Sequence, residues 1–414
     1  MIESEVTPVS ESAAEEAAVG GRAGDTGRQL QVVMLYSRSF LPYEGWYRRV
    51  HNQAKSLVEA GHRVTLLAWD RECRSPAEET LDGIRIKRFH IPAGVALGPK
   101  NGRNHLKYAR AVYGYLRGAD FDVVHCFNVD TMPTGLLAAR RRGKKAVLDL
   151  CEPDYYRGFW NARYNWLLHG VNWVEKALAR RFDHVFVHNT YQVGKFRDCG
   201  ISRLTQVGSY PNRSMLATTL DRPNRDTVVI GRIGTAYANN GYEELVAAFG
   251  QMLQRQAGAA DGPKYKLRIA GKVFDTYRPA FEKLVEPLGD RVEVTGAFDV
   301  AELPRLYREI DISILLYGGE GFGNVTPTKL FESMACGVPV VANAFGNVAE
   351  ILSGGDCGVV VDGVDPDSIC RGIEKLACDA DLRRRMAANA VRLAHDRYTW
   401  EAVCGDFLSA YEAL

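Results

Sequence analysis

From residue 30 onward, short β-branched runs alternate with helix-like stretches, and the whole alternation occurs twice. The first series is QVVMLYS (31–37), VTLLAW (64–69), DVVHCF (122–127), KAVLDL (145–150) and HVFVHN (184–189), with helical stretches around 46–61 and near 103–118. Strand and helix in turn predict parallel βαβ units, because parallel neighbours need a long crossover between them. Around Tyr210-Pro211-Asn212 the pattern pauses, and a stretch with two prolines and several charges predicts a linker over 213–226. A second series follows: VVIGRIG (228–234), a helix from about 240, YKLRIAG (265–271), RVEVTG (291–296), ISILLY (312–317), a helix from about 328, VPVVAN (338–343) and CGVVVD (357–362). The expectation is an α/β chain with two doubly wound, Rossmann-like domains, 29–212 and 227–396. Ligands of such sheets bind in the crevice at the carboxyl ends of the strands, here a cleft between the domains.

Length agrees, since 414 residues exceed one ordinary core. Residues 1–28 hold almost no large apolar side chain, so they predict a disordered tail. The nine cysteines are scattered without a Cys-x-x-Cys pair, which points to reduced thiols in a cytoplasm and away from a disulfide scaffold or structural zinc. No apolar run approaches the roughly 18 residues of a membrane span, and the N-terminus lacks the order of a signal peptide. Net charge is +2, but residues 29–212 carry 28 basic against 16 acidic side chains, whereas 213–414 carry 22 against 28. A basic N-terminal half suits an anionic acceptor, an anionic membrane surface or simply solubility, so peripheral contact at the inner membrane face is an open option. The aromatic and arginine-rich segment 155–182 suits a membrane surface or stacking on an acceptor sugar, or simple packing on the sheet. Nucleic-acid binding is not expected, because no matching motif is present and the excess charge is spread out.

The most informative stretch is YGGEGFGNVTPTKLFESMACGVPVVANAFGNVAEI, 317–351. A buried strand runs into a glycine-rich loop holding Glu320, then Thr326-Pro327-Thr328 caps a helix opening Lys329-Leu330-Phe331-Glu332. Glycines admit close backbone approach, and a helix N-terminus offers free N–H groups to an anion. The pattern reads as a pyrophosphate cradle with carboxylates beside it, suited to hydroxyls of a sugar and a ribose.

These residues resemble the donor site of the family 4 glycosyltransferases, retaining enzymes of the GT-B fold, over nearly the whole chain after the tail. The motif strings are EGFG (320–323) and ESMACGVPVVA (332–342). The family's two glutamates have seven residues between them, whereas Glu320 and Glu332 are further apart. Two registers follow: counting back from Glu332 places Asn324 in the first-glutamate position, as in a subgroup whose helix begins P-x-K-L-F-E, while counting from EGFG keeps Glu320 there. The resemblance implies a nucleotide-diphosphate sugar as co-substrate, no cofactor, no metal, and an acceptor that is a saccharide, a lipid-linked precursor or a small metabolite. It implies catalytic roles among Glu320, Asn324, Glu332 and Glu152, with Glu332 on the ribose. Donor contacts would come from Gly234, Thr235, Lys272, Gly321, Phe322, Gly323, Asn324, Val325, Thr326, Lys329 and Glu332. Acceptor contacts would come from Tyr43, Gly45, Trp46, His125, Asp149 and Glu152, and the last helix, 397–414, would cross back to the N-terminal domain. The family's usual Arg and Lys on the diphosphate are replaced by Thr235 and Asn240, leaving Arg232, Lys272 and Lys329 as candidate cations. A GT-B nucleotide-sugar epimerase and a non-catalytic sugar- or nucleotide-binding protein are the alternatives.

Overall fold

The computed structural model describes residues 28–42, 47–93, 99–151, 165–217, 220, 226–238, 240–257, 263–318 and 324–414. The first sheet contains β1 (Gln31–Tyr36), β2 (Arg63–Asp70), β3 (Glu78–Leu81), β4 (Ile84–His90), β5 (Val123–Phe127), β6 (Lys145–Leu150), β7 (His184–Val187) and β8 (Leu204–Gln206). Their order is β3-β4-β2-β1-β5-β6-β7-β8, and the pairings are parallel except β3 against β4. Helices α1 (Tyr47–Glu59), α2 (Pro99–Gly118), α3 (Asn128–Arg141), α4 (Asn165–Ala179) and α5 (Thr190–Arg197) connect them. All five residues of β5 are buried, as expected of a parallel strand covered on both faces.

The second sheet contains β9 (Thr227–Ile233), β10 (Lys264–Ala270), β11 (Val292–Gly296), β12 (Ile312–Leu315), β13 (Val340–Asn343) and β14 (Gly358–Val361). It is parallel throughout, in the order β11-β10-β9-β12-β13-β14. Its helices are α6 (Tyr242–Ala257), α7 (Arg278–Val285), α8 (Leu303–Arg308), α9 (Thr328–Ala335), α10 (Val348–Gly354), α11 (Pro366–Ala377) and α12 (Ala380–Arg397). In each sheet the strand order reverses beside the first strand, between β1 and β5 and between β9 and β12, so each domain opens a crevice at that point.

The hairpin β3–β4 is an addition to the expected strand series. Asp82 and Gly83 turn it, both with positive φ, the conformation that a two-residue hairpin turn requires. Residues 213–215 are also more than a linker. Met215 is buried, its carbonyl accepts from the Cys336 thiol at 3.5 Å, and Ala217 N–H donates to Ala335 O at 2.8 Å, so this stretch sits on the C-terminal domain.

The last helix, α13 (Trp400–Glu412), returns to the first domain. Trp400, Phe407 and Tyr411 join the core formed with Val50, Ala54 and Leu57 of α1, and the Trp400 indole donates to Ser56 Oγ at 2.9 Å. Burying side chains of this size is worth about 1.5–3 kcal/mol each. No described helix is long and apolar enough to cross a membrane. No disulfide joins any of the nine cysteines.

Candidate functional site

The C-terminal ends of β9 and β10 turn on two glycines. Gly234 has φ 147° and Gly271 has φ 149°, and a Cβ on Gly271 would lie 1.9 Å from the Gly234 carbonyl oxygen. Only glycine allows the two turns to touch. Thr235 and Lys272, which follow them, are exposed. Helix α9 starts beside this corner, and the Lys329 side chain passes over it: its Cε lies 3.9 Å from the position a Gly234 Cβ would take. Two sequence motifs nearly a hundred residues apart thus form one corner. Pro327, not Thr326, is the N-cap of α9, and it makes no side-chain cap bond. Thr326 instead donates its hydroxyl to Asn347 Oδ1.

Glu332 lies one turn into α9 and is buried. Lys329 Nζ donates to its Oε2 at 3.0 Å, and Arg48 Nη1 of α1, in the other domain, donates to its Oε1 at 2.8 Å. The Tyr307 hydroxyl reaches Oε2 at 3.5 Å. Burial pushes the carboxyl pKa up, but Lys329 and Arg48 outweigh it and hold the group below the usual glutamate value. Ser333, next in the helix, binds Ser313 of β12 at 2.8 Å and fixes α9 against the sheet.

The chain entering α9 is tied to the first domain as well. Asn189 Nδ2 donates to Asn324 O at 2.7 Å, and His188 Nε2 donates to Thr326 O at 3.0 Å. Ser209 N–H donates to His188 Nδ1 at 3.2 Å, which sets the tautomer. Burial pushes the His188 pKa down to about 4, so the ring is neutral near pH 7. Val325 packs its carbonyl against Gly346, where a Cβ would come within 2.2 Å. Glu320, Gly321, Phe322 and Gly323 lie outside the described residues.

Of the residues expected on the acceptor, Tyr43, Gly45, Trp46 and Glu152 also lie outside the described residues. His125 and Asp149 are both 0% exposed, and the structure corrects their expected role. His125 Nδ1 meets the Tyr411 hydroxyl at 2.6 Å, and burial takes its pKa to about 4. Asp149 accepts from Arg49 Nε at 3.0 Å, from Arg49 Nη2 at 2.9 Å and from Gln53 Nε2 at 2.6 Å. Both side chains hold α1 and α13 on the sheet; neither reaches the cleft surface. Cys151 is buried and directs its thiol at Asp149 Oδ1, 3.5 Å away.

Arg232 is likewise committed. It donates through Nη2 to the carbonyls of Leu316, at 3.0 Å, and Asn240, and its guanidinium lies 4.4 Å from the Tyr242 ring centroid. It braces the loop after β9 from beneath. Sequence reasoning missed Arg48, Arg49, His188 and Asn189. The Arg-Arg pair at the start of α1 and the His-Asn pair after β7 were the available signals.

Two facing doubly wound domains, with a glycine corner and a helix N-terminus at the switch point of the second, define the GT-B class of glycosyltransferases. Family models agree in both halves: residues 44–208 match the glycosyl transferase 4-like domain, and residues 221–392 match glycosyl transferases group 1. By fold the chain is of the GT-B class, and each of its two domains matches a glycosyltransferase domain family. It is 24% identical over 409 residues to the phosphatidyl-myo-inositol mannosyltransferase of Mycolicibacterium smegmatis, covering 93% of this chain and 94% of that one. With other curated relatives the match is shorter, spanning about 45% and 39% of their length. Among solved structures, the sucrose-phosphate synthase of Thermosynechococcus elongatus superposes with TM-score 0.76 at 18% identity, covering 92% of this chain and 98% of that one. Anabaena Alr3699/HepE, in complex with UDP and glucose, superposes with TM-score 0.68 at 16% identity over 93% of this chain and 100% of that one.

Proposed function

We propose that the chain transfers a sugar, with retention, from a nucleotide-diphosphate donor to an acceptor hydroxyl. The observation that carries this reading is the Glu332 carboxylate, buried beside the Gly234 corner and the N-terminus of α9. A carboxylate there accepts hydroxyls of the donor, while the N–H groups of the uncapped helix and Lys329 face the diphosphate. The donor's bond from the anomeric carbon to the diphosphate breaks as the acceptor oxygen bonds to that carbon from the same face. The acceptor proton passes to the departing phosphate oxygen, which lies on that face. The protein's part is positioning and stabilising the leaving diphosphate, for which no metal is needed.

The relatives and neighbours support this chemistry by their own names: a mannosyltransferase, and a protein crystallised with UDP and glucose. The test is incubation of the full chain with a panel of nucleotide sugars and a cell extract as acceptor source. Acceptor-dependent release of nucleoside diphosphate is the expected result. Epimerised sugar without an acceptor, or binding without turnover, would replace the reading with an epimerase or a binding protein. Loss of transfer in EDTA that magnesium restores would refute metal independence.

A further inference from the structure

We infer that Arg48, on the N-terminal domain, is a donor-diphosphate cation of this enzyme that exchanges Glu332 for the diphosphate when the donor binds. The inference rests on the donor-site reading above. A pyrophosphate held away from bulk water needs positive charge near it, and the two positions where cations are usual carry Thr235 and Asn240. Arg232 does not fill the gap, because it is buried and donates to two carbonyls under the loop. Besides the exposed Lys272, the corner holds a pair of cations that converge on the two oxygens of one carboxylate. Lys329 comes from α9 and Arg48 from α1 across the cleft, with side chains 25% and 17% exposed.

A buried carboxylate alone would be costly, and two cations facing each other would repel, so each group supplies what the others lack. Once the Glu332 oxygens accept donor hydroxyls, the guanidinium on Oε1 has competition, and the diphosphate beside it is the stronger anion. A planar guanidinium can then pair with two phosphate oxygens at once. Helix α1 is built to hold Arg48 at this place. The next residue, Arg49, is locked to Asp149 with both side chains fully buried, and Gln53, one turn on, binds the same carboxylate. Since Arg48 belongs to the first domain and Lys329 to the second, a diphosphate gripped by both also fixes the two domains relative to each other.

The test is calorimetric titration of the full chain and its variants with UDP, GDP, UMP, GMP and inorganic pyrophosphate. For whichever diphosphate binds the wild type, Arg48→Ala should weaken it, and pyrophosphate with it, by about 10- to 100-fold. The matching monophosphate should change by no more than about threefold, and Arg48→Lys should recover part of the loss. Glu332→Gln keeps Arg48 and frees it, so pyrophosphate should bind this variant at least as tightly as it binds the wild type. If Arg48 is only a latch on Glu332, Arg48→Ala would leave diphosphate affinity within about twofold or tighten it, and the inference would be overturned. Arg48→Ala leaves Glu332 paired with Lys329 and should fold; if it does not, the diphosphate-to-monophosphate ratio of Arg48→Lys decides by the same criterion. A wild-type chain that binds neither diphosphate nor pyrophosphate would overturn the donor-site reading itself, and this inference with it.

Discussion

Asp149→Asn isolates the part of the fold that aims α1 at the cleft. The native carboxylate accepts two bonds from Arg49 and one from Gln53, and the Arg49–Asp149 pair has no exposed side-chain surface. Asparagine keeps the shape but removes the charge, and its amide cannot accept from both guanidinium nitrogens. The result is an arginine cation fully buried with little to oppose it. Breaking such a pair from one side costs about 3–5 kcal/mol. For a domain of this size that corresponds to a fall in melting temperature of roughly 6–20 °C. Removing both charges, in Arg49→Met with Asp149→Leu, should return part of the stability, because the loss is then confined to neutral groups, Gln53 and Cys151 without their acceptor and the Val207 carbonyl without its Arg49 donor, at about 1 kcal/mol each. Urea unfolding at pH 7, followed by far-ultraviolet circular dichroism and tryptophan fluorescence, measures both. An Asp149→Asn protein that unfolds like the wild type but shows a raised KM for acceptor would refute the argument and restore Asp149 to the acceptor site.

Acid should destabilise the fold before the carboxylates titrate. His125 and His188 are buried with pKa values pushed down to about 4 from 6.5, so below pH 6.5 the unfolded chain takes up protons that the native chain refuses. Each should cost about 2 kcal/mol between pH 7 and pH 5; His188→Asn should flatten that slope, and an unchanged slope in urea titrations would count against it. Within the motif, Asn324→Ala should lower transfer by about tenfold or more, and by more than Glu320→Gln does, because counting back from the buried Glu332 puts Asn324 in register and its carbonyl is pinned by Asn189. The reverse order in a transfer assay would move the first-glutamate role to Glu320. On α4, Trp173 is 72% exposed with Val174 beside it, on the basic N-terminal domain. If this face meets an anionic bilayer, Trp173→Glu should reduce co-sedimentation with vesicles containing anionic phospholipid by about fivefold or more while leaving neutral vesicles unaffected; equal sedimentation of both proteins would dismiss the contact.

What could be read in the sequence follows from the range of each interaction. Strands such as β5 and β9 are buried over nearly their whole length, so an apolar run identifies them without reference to any other segment. The hairpin strand β4 reads Ile-Arg-Ile-Lys-Arg-Phe-His, with the charged Arg88 on the buried face and Phe89 on the opposite one, so it has no apolar run, and its marker was Asp82-Gly83. At the site, Lys329 and Glu332 stand one helical turn apart, and a string of four residues suffices to place both. Arg48 stands 284 residues from the carboxylate it binds, and no local pattern distinguishes an arginine that crosses a cleft from one that faces water. Asp149 was misread for the complementary reason. An acid at the end of a parallel strand has the same sequence signature whether it opens into the crevice or lies beneath the first helix. The difference is decided by Arg49 and Gln53, one helical turn apart on a neighbouring element, and they turn Asp149 from a ligand contact into the anchor of the helix that carries Arg48.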